Sequence, residues 1–385
     1  MTSLGGAAQA AAAARAGLLR LRELEGIDYI DQDTNAPTPL VGHPVRGVTD
    51  GLAGTGRLVR LAALALRDLA TSAGTLPTRD TGFFLVLPTA LESLAPPPQD
   101  PSPLEHVDTG TDERADEGTE EGADEGAVEG GPDPTALRPL TEGEIRRMAA
   151  QALDAAGLLI GDAARRTYAT GKPGVATALI DALDTLERRH LARAIVCAVD
   201  SEIDLPRIRL SFNSDRLKTM DKAVGFLPGE AAACVLLERI ESVSQDGRRP
   251  ASLLGCPSVA NEEPNDDPSR PPMGRALSEA ILEALAGAGV AETATGTAYL
   301  ELNGETHRAI DWGNALVRLR TRSQLDAWNH VIPAVNFGDT GLASPVLALC
   351  LATRAYARGY ATGDVSLILG SDQTGMRFAF VAGRP

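Results

Sequence analysis

Lys172 and Asp339 stand at equivalent points of a four-residue frame that occurs twice. The copies read Gly171-Lys172-Pro173-Gly174 and Gly338-Asp339-Thr340-Gly341, 167 positions apart. Each continues into similar text, Val175-Ala176-Thr177 and Leu342-Ala343-Ser344, and then into an Ala/Leu-rich run of helical character. Each run leads to a β-type segment, residues 194–201 or 365–372. A helix N-terminus favours anions, so Asp339 suits such a place and Lys172 does not. A buried Lys172 needs a carboxylate. We expect Asp339 to supply it, with the two side chains within about 6 Å; otherwise Lys172 points to solvent.

Other polar residues offer less. Asn303 can donate to a carbonyl or cap the turn that it forms with Gly304. Glu305 and His307 lie close by, but a Glu305/His307/Lys172 site has no nucleophile. Ser201 and Thr170 are not in a nucleophile-elbow context. The four Cys (Cys197, Cys234, Cys256, Cys350) show no CxxC spacing, and the first, second and fourth sit in apolar elements. They read as buried free thiols of a cytoplasmic protein. The five His are scattered without ligand spacing, so neither metal nor other cofactor is expected.

Two loop–helix–strand copies predict a duplicated α/β fold with its loops facing across a pseudo-twofold axis. The elements that must hold them can be followed along the 385 residues. Aromatic content is only 4%, so the core is built from Ala, Leu and Val. Helices are expected over residues 7–24, 57–69, 141–156, 276–288 and near 312–319. The Thr141-Glu142-Gly143-Glu144 start has the form of a capping box. Strands are expected at residues 82–87, 298–302 and 377–381, and residues 225–238 read as a Gly-rich turn running into a buried strand. Residues 40–48 read as irregular or extended, 241–250 as a polar connection, and 257–272 as a Pro/Asn/Asp loop.

The formal net charge of −16 comes mainly from one stretch. Residues 100–134 carry thirteen acidic groups and one Arg, leaving −4 for the rest. This stretch cannot bury enough apolar surface to offset ordering entropy. It reads as a disordered acidic insertion over 97–135, a solvated spacer or a docking element for a basic partner. No basic patch suggests nucleic acid, and no apolar run reaches membrane-spanning length. Lysine is scarce, three against 33 Arg, an Ala- and Arg-rich balance that suggests a GC-rich bacterial genome.

Three segments together resemble the β-ketoacyl synthase (3-oxoacyl-carrier-protein synthase) family of the thiolase-like superfamily. Gly225-Phe-Leu-Pro-Gly-Glu-Ala-Ala-Ala-Cys-Val-Leu-Leu-Glu is similar to the family's GFxxGEGAxxLxLE. Tyr299-Leu-Glu-Leu-Asn303-Gly304-Glu305-Thr306 is similar to YVEAHGTGT, and Val335-Asn336-Phe337-Gly338-Asp339-Thr340-Gly341 to KSNIGHxxxAAG. The resemblance covers residues 135–385 well and 1–95 weakly. It implies a five-layer α-β-α-β-α fold of two duplicated halves, residues 1–240 with the acidic insertion and residues 250–385.

The family condenses acyl groups with a Cys and two His, the Cys thiolate favoured by a helix N-terminus. Counting back from the 194–201 strand puts the Cys position at Lys172, and the matched segments put the His positions at Asn303 and Asp339. The Lys that precedes the second His is Ala334 here, and the glycine-rich turn of the oxyanion hole reads Ser371-Asp372-Gln373-Thr374-Gly375. The resemblance gives Phe226 a place in the acyl-gating loop, stiffened by Leu227-Pro228, and Glu230 an architectural role. It sets Gly338 and Gly341 around the site.

The expected function is therefore a catalytically degenerate ketosynthase-like scaffold or binding subunit, with no catalytic residue assigned. Alternatives are a chain-length-factor-like partner of an active ketosynthase, an acyltransferase with a relocated nucleophile, and an adaptor of a bacterial secretion or toxin locus. The implied partners are a second copy or a ketosynthase-like subunit, and an acyl thioester or carrier protein. Dimerisation would use residues 162–168, whose Arg165 and Arg166 make ordinary edge pairing less certain. The family opens with a strand that residues 1–5 match only at its end. We expect that strand to be central in its sheet, and the true start to lie upstream of Met1.

Overall fold

The computed structural model describes residues 1–74, 76–92, 137–245, 249–262, 271–291 and 293–385. The acidic insertion lies outside the described residues.

Strand Thr81–Val86 is buried at all six positions, as a strand covered on both faces must be. It pairs in parallel with Arg165–Tyr168 on one side and Arg193–Ser201 on the other. Glu230–Glu238 then adds antiparallel to Arg193–Ser201, with Cys234 opposite Cys197. The second sheet repeats this plan. Asn329–Val331, Gly296–Tyr299 and Val365–Ser371 are parallel neighbours, and Met376–Gly383 adds antiparallel. Two more strands, Ser258–Asn261 and the short Leu253–Leu254, pair antiparallel with the outer edge of Met376–Gly383.

Three helix layers enclose the two sheets. Pro173–Glu187 and Ser344–Ala357 lie between them, their buried Ala176, Ala178, Ala182, Ala348 and Ala352 allowing close approach. Gly54–Ala73 and Glu142–Ala156 cover the far face of the first sheet, and Arg275–Gly287 and Thr306–Leu319 that of the second. The expected five-layer duplicated architecture is therefore present. Pro173 at the first helical turn has no N–H to lose there, which fixes where the first central helix begins.

Helix Glu142–Ala156 starts where the sequence placed it. Thr141 Oγ1 accepts from the Glu144 N–H at 3.3 Å, and the Glu144 carboxylate accepts from the Thr141 N–H at 2.9 Å. Thr141→Ala should lower the unfolding free energy by about 1 kcal/mol, read from the midpoint of urea unfolding.

Three expectations need correction. The first helix is Ala7–Arg15, not residues 7–24. Gly17 takes φ +66°, the Leu18 N–H bonds Ala13 O at 2.9 Å, and the Gly17 N–H bonds Ala14 O at 3.0 Å. This closing motif needs a left-handed residue, which Gly supplies. The chain then enters a hairpin of Arg22–Asp31 with Ala36–Gly42. Second, the loop at 257–272 contains strand Ser258–Asn261, too short for its alternation to register; residues 263–270 are outside the described set. Third, the first sheet has no gap between buried neighbours. Its four strands are continuous, and among the described residues the outer edge of Glu230–Glu238 meets Thr2, in a bridge to Ala231, and Met1, whose O accepts from the Ala232 N–H.

Candidate functional site

The two Gly-x-x-Gly loops meet between the sheets, where a buried charge network occupies the space. Lys172 sits just before helix Pro173–Glu187, and its Nζ donates to Glu301 Oε2 at 2.8 Å. Lys172 thus pairs directly with Glu301 rather than Asp339, while its charge still acts on Asp339. Glu301 follows strand Gly296–Tyr299 by two residues, so the sheet aims it at the helix start. Its Oε2 also accepts from the Ser371 N–H at 3.2 Å and from Arg308 Nη1 at 3.4 Å.

Arg308 is the hub. It comes from the first turn of helix Thr306–Leu319 and touches three carboxylates. Besides Glu301, it reaches Glu305 Oε2 at 3.2 Å and Asp339 Oδ2 at 3.6 Å. Asn303 ties the last two together, donating from Nδ2 to Glu305 Oε2 and to Asp339 Oδ2, each at 2.7 Å. Its Oδ1 accepts from the Glu305 N–H at 3.1 Å, so Asn303 also caps its turn. Arg216 completes the set through Glu305 Oε1 at 2.7 Å. Three cations thus face three carboxylates. The side chains of Lys172, Glu301, Arg308 and Asp339 are 10%, 7%, 11% and 8% exposed.

The loop geometry holds Asp339 in place. Its backbone N–H bonds Leu227 O at 2.8 Å, and its O accepts from the Gly229 N–H at 3.0 Å. Gly341 takes φ +56°, and a Cβ there would lie 2.0 Å from Asp200 Oδ2. Only glycine can bring the Gly341 N–H to Asp339 Oδ1 at 2.9 Å. Burial alone would raise the Asp339 pKa, but Lys172, Arg308 and the Asn303 bond hold it below the usual carboxylate range. For Glu305 burial is likewise outweighed, by the Arg216 bond and the charges of Arg308 and Arg216, so its pKa is lowered.

A second cluster adjoins the first. Arg207 binds Asp200 at 2.8 Å and Glu202 at 2.9 Å, and Asp200 Oδ2 accepts from the Leu342 N–H at 3.0 Å. One cation serves two carboxylates here. Burial, with Asp200 and Asp339 adding to it against Arg207, pushes Glu202 up to about 7.

The remaining sequence candidates fall around this centre. Glu230 is fully buried and architectural: its carboxylate accepts from the Val45 N–H (2.7 Å), Thr49 Oγ1 (2.6 Å), Arg57 (2.9 Å) and Ser201 Oγ (3.1 Å). Phe226 is buried in an apolar cluster with Leu40, Ile208 and Phe212, beneath the Arg216 guanidinium. Gly338, at φ +71°, backs onto residues 227–229. His307 is half-buried, and Lys172 bonds Glu301 rather than Glu305 or His307. Burial pushes the Cys350 thiol up to about 12 and raises Cys234 well above its ordinary value. Neither carries a thiolate at neutral pH, the form that a nucleophilic cysteine needs.

Sequence reasoning brought Lys172, Asn303 and Asp339 to one place but missed Glu301, Arg308, Arg216, Arg207 and Glu202. Glu301 lay inside the segment Tyr299-Leu-Glu-Leu, where alternation marks it as the polar residue of a buried strand end. That signal was available. Each arginine is one of 33 and carries none.

No family model matches the sequence, and no curated protein matches it. Solved structures do match over its length. The ishigamide ketosynthase/chain length factor is 20% identical, with a TM-score of 0.62 over 100% of this chain and 96% of that one. A type II PKS acyl-carrier protein in complex with its ketosynthase bound to the hexaketide gives 13% identity, a TM-score of 0.68, and coverage of 100% and 97%. The oxazolomycin ketosynthase domain OzmH KS7 of Streptomyces albus JA3453 gives 17%, 0.67, and coverage of 98% and 72%. The chain has the thiolase-like ketosynthase fold. Among the described residues no helix is long and apolar enough to cross a membrane.

Proposed function

We propose that this chain is a non-condensing ketosynthase-fold subunit, retained for binding or assembly rather than acyl transfer. The observation that carries this reading is the closed network of Lys172, Glu301, Arg308, Asn303, Glu305, Asp339 and Arg216. A condensing site needs an activated nucleophile and free donors aimed at a developing oxyanion. Here Lys172 is committed to Glu301, and the Ser371 N–H donates to that same carboxylate. An acyl thioester would have to displace several buried ion pairs, each costly to separate.

The test is intact mass after incubation with malonyl and acyl thioesters of coenzyme A and of a carrier protein. No adduct is expected. Lys172→Cys is also expected to stay unmodified, because the network, and not the missing thiol alone, blocks entry. A stoichiometric acyl adduct on the unaltered chain would overturn the reading.

The same fold supports a role beside an active synthase. Two of the similar structures pair a ketosynthase with a chain length factor and with an acyl-carrier protein. Among the described residues Arg165–Tyr168 is an edge strand with no neighbour on its outer side, which suits it to a ketosynthase-like subunit. Co-purification of a ketosynthase encoded nearby supports that role, and a monomer with no such partner removes it.

A further inference from the structure

We infer that Cys197 and Cys234 are a redox pair, which an oxidising environment closes into a disulfide across the first sheet and a reducing one reopens. The inference is independent of whether the chain condenses acyl groups. Both residues are free thiols. They stand directly opposite each other on the antiparallel strands Arg193–Ser201 and Glu230–Glu238.

The hydrogen-bond alternation of that ladder places them at the closer of its two kinds of pair. The Glu202 N–H bonds Gly229 O at 2.9 Å, which marks residues 202 and 229 as a hydrogen-bonded pair. The next pair, Ser201 with Glu230, is of the other kind: the Ser201 N–H turns to Asp200 Oδ1 at 2.9 Å. Every second pair repeats that kind, so it recurs at Val199 with Ala232 and at Cys197 with Cys234. The Cα atoms of such a pair are about 4.5 Å apart, inside the range of about 4.4–6.8 Å that a disulfide spans. Directly opposite residues also share one face of the sheet. Both side chains lie in the buried cluster that holds Leu58, Ala62 and Ala65 of helix Gly54–Ala73. There the Cys197 thiol is a hydrogen-bond partner of Cys234. The bond can therefore form without breaking the ladder.

The other two cysteines are set apart. Cys350 belongs to helix Ser344–Ala357, in the layer between the sheets, and its Sγ meets the backbone O of Cys234 at 3.6 Å. Cys256 is exposed.

The chemistry is thiol–disulfide exchange with a low-molecular-weight disulfide. One Cys thiolate attacks a sulfur of the reagent, which gives a mixed disulfide and releases one thiol. The other Cys, as its thiolate, displaces the second thiol and completes the Cys197–Cys234 bond. The two protons lost by the protein end on the two released thiols, and its two electrons reduce the reagent's S–S bond. Burial keeps the Cys234 thiol protonated in the closed sheet, so exchange proceeds from molecules in which the strands have locally opened. The finished bond ties the strands that carry Asp200, Ser201 and Glu230, and closes a loop of about 37 residues.

The experiment incubates the full chain with glutathione disulfide at about pH 8 in sub-denaturing urea and follows intact mass. The Cys256→Ser chain, which lacks the exposed thiol, is run beside it. A loss of about 2 Da is expected, reversed by dithiothreitol. Digestion should yield one linked peptide pair, holding Cys197 and Cys234. The oxidised chain should unfold at higher urea, with an unfolded fraction at least about tenfold smaller at any given concentration. Cys234→Ala should abolish the mass loss, and Cys350→Ala should leave it in place. If Cys234→Ala fails to fold, the peptide map of the unaltered chain decides alone. A glutathione adduct that persists at Cys197 or Cys234, a linkage through Cys350, or no mass change under conditions that oxidise the urea-unfolded chain overturns the inference. So does an oxidised chain less stable than the reduced one, since the bond would then distort the sheet that it is inferred to fit.

Discussion

Arg308→Met is expected to lower the unfolding free energy by about 3–5 kcal/mol, the usual cost of stripping one partner from a buried ion network. The substitution keeps most of the side-chain volume and removes the charge that contacts Glu301, Glu305 and Asp339. Lys172 and Arg216 remain, so three buried carboxylates are left with two cations. Asn303 still bridges Glu305 and Asp339, now holding two anions together with less to balance them. Urea unfolding followed by circular dichroism at neutral pH measures the loss. Acidification should return part of it, because protonating a carboxylate restores the balance of charge. Adding Asp339→Asn to Arg308→Met should recover a substantial share for the same reason. A loss under about 1 kcal/mol would mean that water reaches the network and screens it, as at a surface pair.

The same residues show what a sequence reveals and what it withholds. Strand Thr81–Val86, the capping box at Thr141 and the repeated frames around Lys172 and Asp339 are local patterns, carried by a few consecutive side chains. They were legible because local chemistry fixes them. The partner of Lys172 was not. Asp339 was the symmetric choice, yet Glu301 holds the ammonium, and which carboxylate wins depends on how the end of one strand faces the start of a distant helix. Arg308 was invisible for a related reason: its role exists only once three carboxylates from residues 301, 305 and 339 converge. The free edge beside Ala232 was misread as an internal gap because strand order is a property of the sheet. It cannot be read from strand content.

Across pH 4.5 to 6.5 two groups, the buried His43 and the half-buried Glu202, are expected to oppose each other, and removing one should expose the other. His43 is buried, its Nδ1 has no hydrogen-bond partner, and burial lowers its pKa from 6.5 to about 4. In that interval the unfolded chain binds a proton that the folded chain does not, so His43 makes stability rise with pH. Glu202 acts in the opposite sense. Its pKa is raised from 4.5 to about 7, so the folded chain keeps a proton that the unfolded chain has released. Stability from Glu202 therefore falls as pH rises through the same interval. The lowered carboxylates Asp339 and Glu305 keep their stabilising effect through this interval and lose it only below, as pH falls through their folded pKa values. The unaltered protein should thus show a nearly level profile between pH 4.5 and 6.5. Glu202→Gln, whose amide oxygen can still accept from Arg207, should gain about 2–3 kcal/mol over those two pH units. His43→Met should lose a similar amount over the same range. Urea midpoints taken at half-unit pH steps compare the three proteins. Parallel profiles for the unaltered chain and Glu202→Gln would show that Glu202 ionises in the folded state as it does in the unfolded one. The buried cluster around Arg207 would then be open to water.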